Sequence, residues 1–348
     1  MQAARKTLRA VAAWILCALP VLLLADRGSP ASRRPVTATP SPAAPTGTFV
    51  IAPQFDYADE FSEGLAAVRT GGPETGTVGF IDKQGAMVIA PRFASAGRFR
   101  DGLAPVGVAG PRGQKWGYID KAGRFVIEPA FGAAAEFSEG VAAVRVGGRG
   151  SASAGYIDRT GAFVLEPRFL EASAFEQGLA PVRIRDSETD GVGFIDKRGA
   201  LVVDAVFSGA LPFHEELAAV RVGGPITGKY GFIGPAGRLV IDPRFDEAGP
   251  FNEGLALVRV RAGDATKVGF IDKQGAVVIH PRFDWAGSFR EGLAPVGLAD
   301  RSLVKCGYID KAGKYVVDPQ FDMAHSFSEG LASVRTAGDA GKWGFIAR

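Results

Sequence analysis

Cysteine is almost missing from this chain. Of 348 residues only Cys17 and Cys306 carry a thiol, and Cys17 lies in an apolar N-terminal run. Two such residues build neither a disulfide framework nor a thiolate metal cluster. Histidine is nearly as scarce. His214, His280 and His325 share no metal-ligand spacing, so each reads as structural or surface, and no metal site or cofactor is expected. An excess of one charge is lacking too: 40 Lys and Arg stand against 37 Asp and Glu, a net +3. That balance leaves no electrostatic footprint for nucleic acid. There is no P-loop, no Gly-x-Ser-x-Gly elbow and no dinucleotide fingerprint. No residue is singled out as catalytic, and the expectation is a protein that is not an enzyme.

The one apolar run covers residues 10–25, after Arg5, Lys6 and Arg9, and is interrupted by Pro20. A basic flank before 16 apolar residues is the layout of a signal peptide and short for a membrane span. Cleavage after Ala25 would put Leu23 where a small residue is preferred. Residues 1–25 are therefore read as a signal peptide or an uncleaved anchor. Residues 26–48 carry Pro30, Pro35, Pro40, Pro42 and Pro45 and little apolar bulk, which marks an extended linker reaching up to roughly 70 Å. The expected location is exported: periplasmic, cell-surface or extracellular, with membrane contact only through the N-terminal segment.

What is abundant is repetition. A Gly opening Gly-Phe/Tyr-Ile falls at Gly79, Gly117, Gly155, Gly193, Gly231, Gly269, Gly307 and Gly344, spaced by 38 six times and then by 37. The Phe of Pro-x-Phe falls at Phe55, Phe93, Phe131, Phe169, Phe207, Phe245, Phe283 and Phe321, always 38 apart. Such a period means one unit copied eight times, none able to bury its apolar face alone. These sixteen positions are expected to be structural. Residues 49–348 form the repeat domain.

Within a unit, Gly117-Tyr118-Ile119-Asp120 is a short strand, and Asp120-Lys121-Ala122-Gly123 a hairpin turn in which the Asp caps turn amides. Phe125-Val126-Ile127 returns as a second strand, halted by Pro129. The spacing of Phe131, Ala134 and Phe137 predicts a single 3₁₀ or α turn. Val141 to Arg145 forms a third strand after Glu139-Gly140. The array opens on a second strand without a first (Phe49-Val50-Ile51) and ends on a first strand without a second (Gly344-Phe345-Ile346). Pairing them would complete a hairpin and remove two open edges, so an all-β, propeller-like closed toroid is favoured over an open β-solenoid. Three strands per unit, where a propeller blade has four, count against closure.

Lys115-Trp116-Gly117-Tyr118-Ile119-Asp120-Lys121, with Lys342-Trp343-Gly344-Phe345-Ile346, resembles the bacterial WG-repeat, or KWG-repeat, family. The resemblance covers residues 49–348. It implies an interaction module of a kind often found in exported or multidomain bacterial proteins, and brings no catalytic residues with it. Trp is replaced by Val78, Ala154, Val192, Tyr230, Val268 and Cys306 in the other copies.

The repeated Asp82, Asp120, Asp158, Asp196, Asp272 and Asp310 fit turn capping better than a calcium ladder, because each stands beside Lys or Arg. Glu63, Glu139, Glu215, Glu253, Glu291 and Glu329 are expected to pair with Arg69, Arg145, Arg221, Arg259 and Arg335, not to serve as glycosidase carboxylates. No polar cluster is expected to break the repeat. One unit is worn: Ala205 replaces Pro, Glu216 replaces the turn Gly, and Gly234-Pro235 replaces Asp-Lys. This reads as drift or as a specialised surface. The functional expectation is a protein-binding or scaffolding module of the cell envelope, with a protein partner on variable loops such as 185–190. The alternative is a cell-wall or glycan binder, of peptidoglycan for instance, using Trp116, Trp285 and Trp343.

Overall fold

Every copy of the unit builds a four-stranded antiparallel sheet. The computed structural model describes residues 46–348, apart from 73–74, 112, 148–152, 185–190, 225–226, 263–264, 301–302 and 337–340. Eight such sheets form the blades of a β-propeller. Blade 1 comprises Tyr57–Ala58, Ala66–Thr70, Thr77–Ile81 and Met87–Phe93, taken from the axis outwards. Blades 2 to 7 repeat this order along the chain. Blade 8 takes Met323–Ala324, Leu331–Arg335 and Trp343–Ala347 from the C-terminal end and its outer strand, Phe49–Phe55, from the beginning of the domain. Phe49 pairs with Ile346 and Phe55 with Trp343, so the ring closes as the two partial copies required.

The fourth strand was concealed by the spacing of Phe131, Ala134 and Phe137. No helical turn forms there. Phe131 ends the outer strand of blade 2, whereas Ala133–Ala134 is the two-residue inner strand of blade 3, paired to Arg145 and Val144. The three-residue spacing spans two blades and is not a period of one element.

The two sets of repeated residues have separate duties. Gly79 sits at a register shift between the third and outer strands, and a Cβ there would lie 2.4 Å from the Ile89 carbonyl oxygen and 2.7 Å from the Pro91 nitrogen. The same close approach recurs at Gly117, Gly155, Gly193, Gly231, Gly269, Gly307 and Gly344, so only glycine lets the outer strand cross this near. The repeated Phe at the end of each outer strand is buried in all eight copies.

Eight apolar clusters make up the core, one at each junction between successive blades. In each blade an aromatic ring of the third strand meets the buried Phe at or just past the end of the inner strand of the next blade. Phe80 and Phe99 lie 4.9 Å apart between centroids, as Tyr118 and Phe137 do at 4.8 Å, worth about 1 kcal/mol per pair beyond burial. Since these pairs cross from one blade to the next, packing and closure are one event.

Candidate functional site

Repeated polar groups fasten the blades. In the turn after each inner strand stands an acidic or amide residue in the left-handed region, Glu63 (φ 53°) being the first. Its carboxylate accepts the Gly102 N–H of the next blade at 3.2 Å. The same bond runs from Gly140 to Asp101, Gly178 to Glu139, Glu216 to Gln177, Gly254 to Glu215, Gly292 to Glu253 and Gly330 to Glu291, and Gly64 to Glu329 completes the circle. A lysine of the next blade adds to it: Lys121 Nζ lies 3.1 Å from Glu63 and donates to the Glu63 carbonyl. Burial pushes the Glu63 carboxyl upward, but the Gly102 amide and Lys121 more than offset it and hold it below its ordinary range.

Glu63, Glu139, Glu215, Glu253 and Glu329 therefore pair with lysines across junctions, contrary to the arginine pairing expected from sequence. The repeated arginines instead reach other acids and carbonyls: Arg259 binds Glu247 at 2.8 Å and the Asp284 carbonyl of the next blade. Reach decides this, because the lysine sits in the turn between the third and outer strands, on the same face as the glutamate. The repeated Asp does cap its turn. Asp82 Oδ1 accepts the Gln84 and Ala86 N–H groups at 3.0 and 2.9 Å, and the other five Asp do likewise.

At the axis the repeat breaks. The residue before the buried Phe at or just past the end of the inner strand is Glu60 in blade 1, Arg98 in blade 2 and Glu136 in blade 3, but Ala174, Pro212 and Pro250 in blades 4 to 6. Arg98 bonds Glu60 at 2.5 Å and Glu136 at 3.0 Å; Arg100 bonds Glu136 at 3.1 Å. Arg290 of blade 7 reaches past blade 8 to Glu60 at 3.2 Å. The result is one chain of alternating charge, Arg290–Glu60–Arg98–Glu136–Arg100, on one side of the channel. In blades 4 to 6 the position of Glu60, Arg98 and Glu136 is apolar, with Ala174, Pro212 and Pro250. This overturns the expectation that no polar cluster breaks the symmetry. The signal was present in the sequence as charges at a position otherwise filled by Ser, Ala or Pro.

Beside this network the closure seam holds a half-buried titratable pair, Asp59 and His325. His325 Nδ1 lies 2.8 Å from Ser333 Oγ, and its ring stacks on Trp343 with centroids 4.8 Å apart. Tyr57 meets both rings edge-on. Burial lowers the imidazole's pKa against the pull of Asp59, and burial raises the Asp59 carboxyl against the pull of Arg98. His325 is thus structural, as expected. Of the tryptophans proposed for sugar stacking, Trp343 is buried and Trp116 half-buried, while Trp285 is exposed at the rim of the inner strand. Residues 1–45, and the loop 185–190 offered for a partner, lie outside the described residues.

Comparison with solved structures gives the fold. The crystal structure of the eukaryotic initiation factor is 11% identical over 88% of each chain, with a TM-score of 0.56. The β-propeller domain of the Trilobed protease from Pyrococcus furiosus is 12% identical over 76% of this chain and 99% of that one (TM-score 0.52), and is described as having an open velcro topology. Blade 8 here is closed instead by a strand from the opposite end of the domain. Two prolyl endopeptidases yield a match at 11% identity and a TM-score of 0.54, in which 85% of this chain spans about half (53%) of theirs. No curated protein sequence matches the chain. The WG containing repeat matches residues 45–72, 79–110, 116–149, 155–186, 193–224, 230–262, 269–299 and 307–343, one match for every blade, and on that coverage the chain belongs to the WG-repeat family.

Proposed function

We propose that this propeller is a non-enzymatic, exported module of the cell envelope that binds and positions another protein. A propeller repeat domain fits protein binding, and the N-terminal basic-apolar pattern followed by a proline-rich tract supports export. The observation that carries the reading is the division of labour among polar groups. The repeated Glu and Lys fasten blade to blade, the repeated Asp caps its own turn, and the axial Glu60 and Glu136 each hold two arginines. Recognition is thereby left to positions that differ between copies, on a frame rigid enough to present them.

Photo-crosslinking residues placed at the loop positions Gly110 and Thr227 in the producing cell test it. The expected result is one discrete protein adduct in the envelope fraction, lost when an excess of unlabelled chain competes. An adduct with soluble cytoplasmic proteins alone, or none, would reject the reading. Salt-resistant sedimentation of the chain with insoluble peptidoglycan would favour the wall-binding alternative, for which the exposed Trp285 is the supporting residue.

A further inference from the structure

Six blades carry an arginine at one place on the second strand, opposite the first residue of the inner strand: Arg69, Arg145, Arg183, Arg221, Arg259 and Arg335. Five of them have acceptors. Arg183 and Arg259 hold Glu171 and Glu247, Arg221 and Arg335 donate to the Gly228 and Gly341 carbonyls, and Arg145 reaches the Leu170 carbonyl at 3.5 Å. Arg69 has none among the described residues. Its guanidinium lies 5.7 Å from the centre of the Tyr57 ring, and its Nε is buried without an acceptor. Asp56, beside Tyr57, is already taken by the Gly71 N–H and by Lys342.

Where the chain passes from one blade to the next, Asp246, Asp284, Asp322 and Asp56 each bind a lysine of the blade just left: Lys229, Lys267, Lys305 and Lys342. In the first three pairs the lysine stands 17 residues before its Asp. The other four passages carry Ala94, Gly132, Leu170 and Ser208. By the same spacing Lys115 of blade 2 would meet Gly132, and it stands exposed with no partner among the described residues. In blade 2 Gly107 also takes the arginine's place; Gln114 fills the space, and its Nε2 is buried without an acceptor. Blades 5 to 8 thus pair these lysines, whereas blades 1 and 2 offer Arg69, Gln114 and Lys115 as donors with nothing to receive them. A buried donor left unpaired is costly, and two in neighbouring blades call for an acceptor from elsewhere.

We propose that blades 1 and 2 take an acidic segment of the partner protein, with carboxylates set against Arg69 and Lys115. Arg69 presents a planar fork whose donors are all unused, which suits a carboxylate held by two bonds, and Lys115 adds a point charge. The place adjoins the loop of blade 2 that carries Gly110, where the protein-binding reading puts recognition. Charge decides the occupant. The chain's own residues 26–48 carry Arg27, Arg33 and Arg34 against Asp26, the wrong sign for this place. The proposal rests on the protein-binding reading and names the chemistry of one contact.

The test uses the full chain and two fluorescent peptides, Ser-Glu-Ala-Ser-Glu-Ala-Ser-Glu-Ala and its Gln counterpart, read by anisotropy at about 0.15 M salt. The Glu peptide should bind and the Gln peptide bind at least about tenfold more weakly. Arg69→Gln/Lys115→Gln removes side chains that make no hydrogen bond among the described residues; it should keep the thermal melt and weaken the Glu peptide about tenfold. Gly132→Asp gives Lys115 the acid that Lys267 already has. A Cβ there would lie 3.5 Å from the Arg145 carbonyl oxygen, an ordinary contact, so the fold should persist and the Glu peptide again weaken. Unchanged binding in Arg69→Gln/Lys115→Gln, or equal binding of the two peptides by the native chain, overturns the proposal. So does failure of the Glu peptide where phosphatidylserine vesicles sediment the native chain but not this variant, which would give the donors to a lipid surface. A dimer that the variant dissolves would give them to a second copy and overturn it likewise. If the Glu peptide fails while the Gly110 adduct forms undiminished in the variant, the acidic contact is retired and the protein-binding reading stands.

Discussion

Two junctions face each other across the ring and are built in opposite ways. At the closure seam, between blades 8 and 1, Trp343, Tyr57 and His325 pack together, Glu329 takes both the Gly64 amide and Lys83, and Ser328 donates to the Phe61 carbonyl at 2.7 Å. Between blades 4 and 5, Gln177 stands for the glutamate, Pro235 for the lysine, Glu176 for that serine and Ser173 for His325. Acid and base have been lost together there: where no lysine remains, the acceptor is neutral. The seam has no covalent link between its third and outer strands, whereas every other blade has a hairpin. Side-chain chemistry is concentrated where connectivity is missing, and has relaxed where the chain itself holds the blade.

The largest effect expected from breaking this contrast comes from glycine. Gly344→Ala would set a Cβ 2.6 Å from the Ile51 carbonyl oxygen, and Gly193→Ala one 2.5 Å from that of Val203. Both overpack by about 3 kcal/mol. Only Gly344→Ala displaces a strand that no hairpin retains, so it should also expose residues 49–55 to limited proteolysis, while Gly193→Ala lowers the denaturation midpoint alone.

Acid should act on the seam and not on its opposite. His325 has a lowered pKa in the folded state, so its contribution to stability is present above the ordinary value of 6.5 and is lost as pH falls through the folded value. Asp59, raised, works the other way, its contribution present below 3.8 and lost as pH rises through its folded value. Below pH 6.5 the histidine should impose a decline approaching about 1.4 kcal/mol per pH unit, opposed by Asp59 as that carboxyl takes its proton. His325→Gln should flatten the melting-temperature profile below pH 6.5; a profile unchanged by this substitution would assign the decline to other groups.

A smaller difference is expected from the turn acceptors. Glu329→Ala should cost about 1 kcal/mol by chemical denaturation, and Gln177→Ala roughly half of that, because only the former loses a charged acceptor and its lysine. The smallest change runs the other way. Glu216 holds φ at 72° where the other copies have glycine, so Glu216→Gly should stabilise by about 0.5 kcal/mol.

Much of the ring was legible in the sequence because its determinants are local and repeated eight times. The glycine of close approach, the Asp-capped turn and the complementary partial ends all declare themselves by spacing. The inner strand did not, since Ala133–Ala134 is too short for any alternation and its flanking Phe131 and Phe137 belong to different blades. Cross-junction pairing was misassigned for a related reason: Glu63 and Lys121 are 58 residues apart, one and a half units, a distance no single copy displays. The axial network was visible only as charge at a position that varies. Glu60 and Arg290 meet because a circle brings blades 1 and 7 close, which linear spacing conceals.

The ladder between Phe49–Phe55 and Trp343–Ala347 also fixes how the ring bears load. Phe49 pairs with Ile346, and Gly47 donates to the Ala347 carbonyl at 2.8 Å, so residues 46 and 348 leave from one corner of the circumference. A plate held at residue 46 hangs from its rim, with neither face pressed against its support. Tension between residues 46 and 348 peels that ladder bond by bond, the geometry of least mechanical resistance, whereas the same force applied between residue 46 and the far rim must shear it whole.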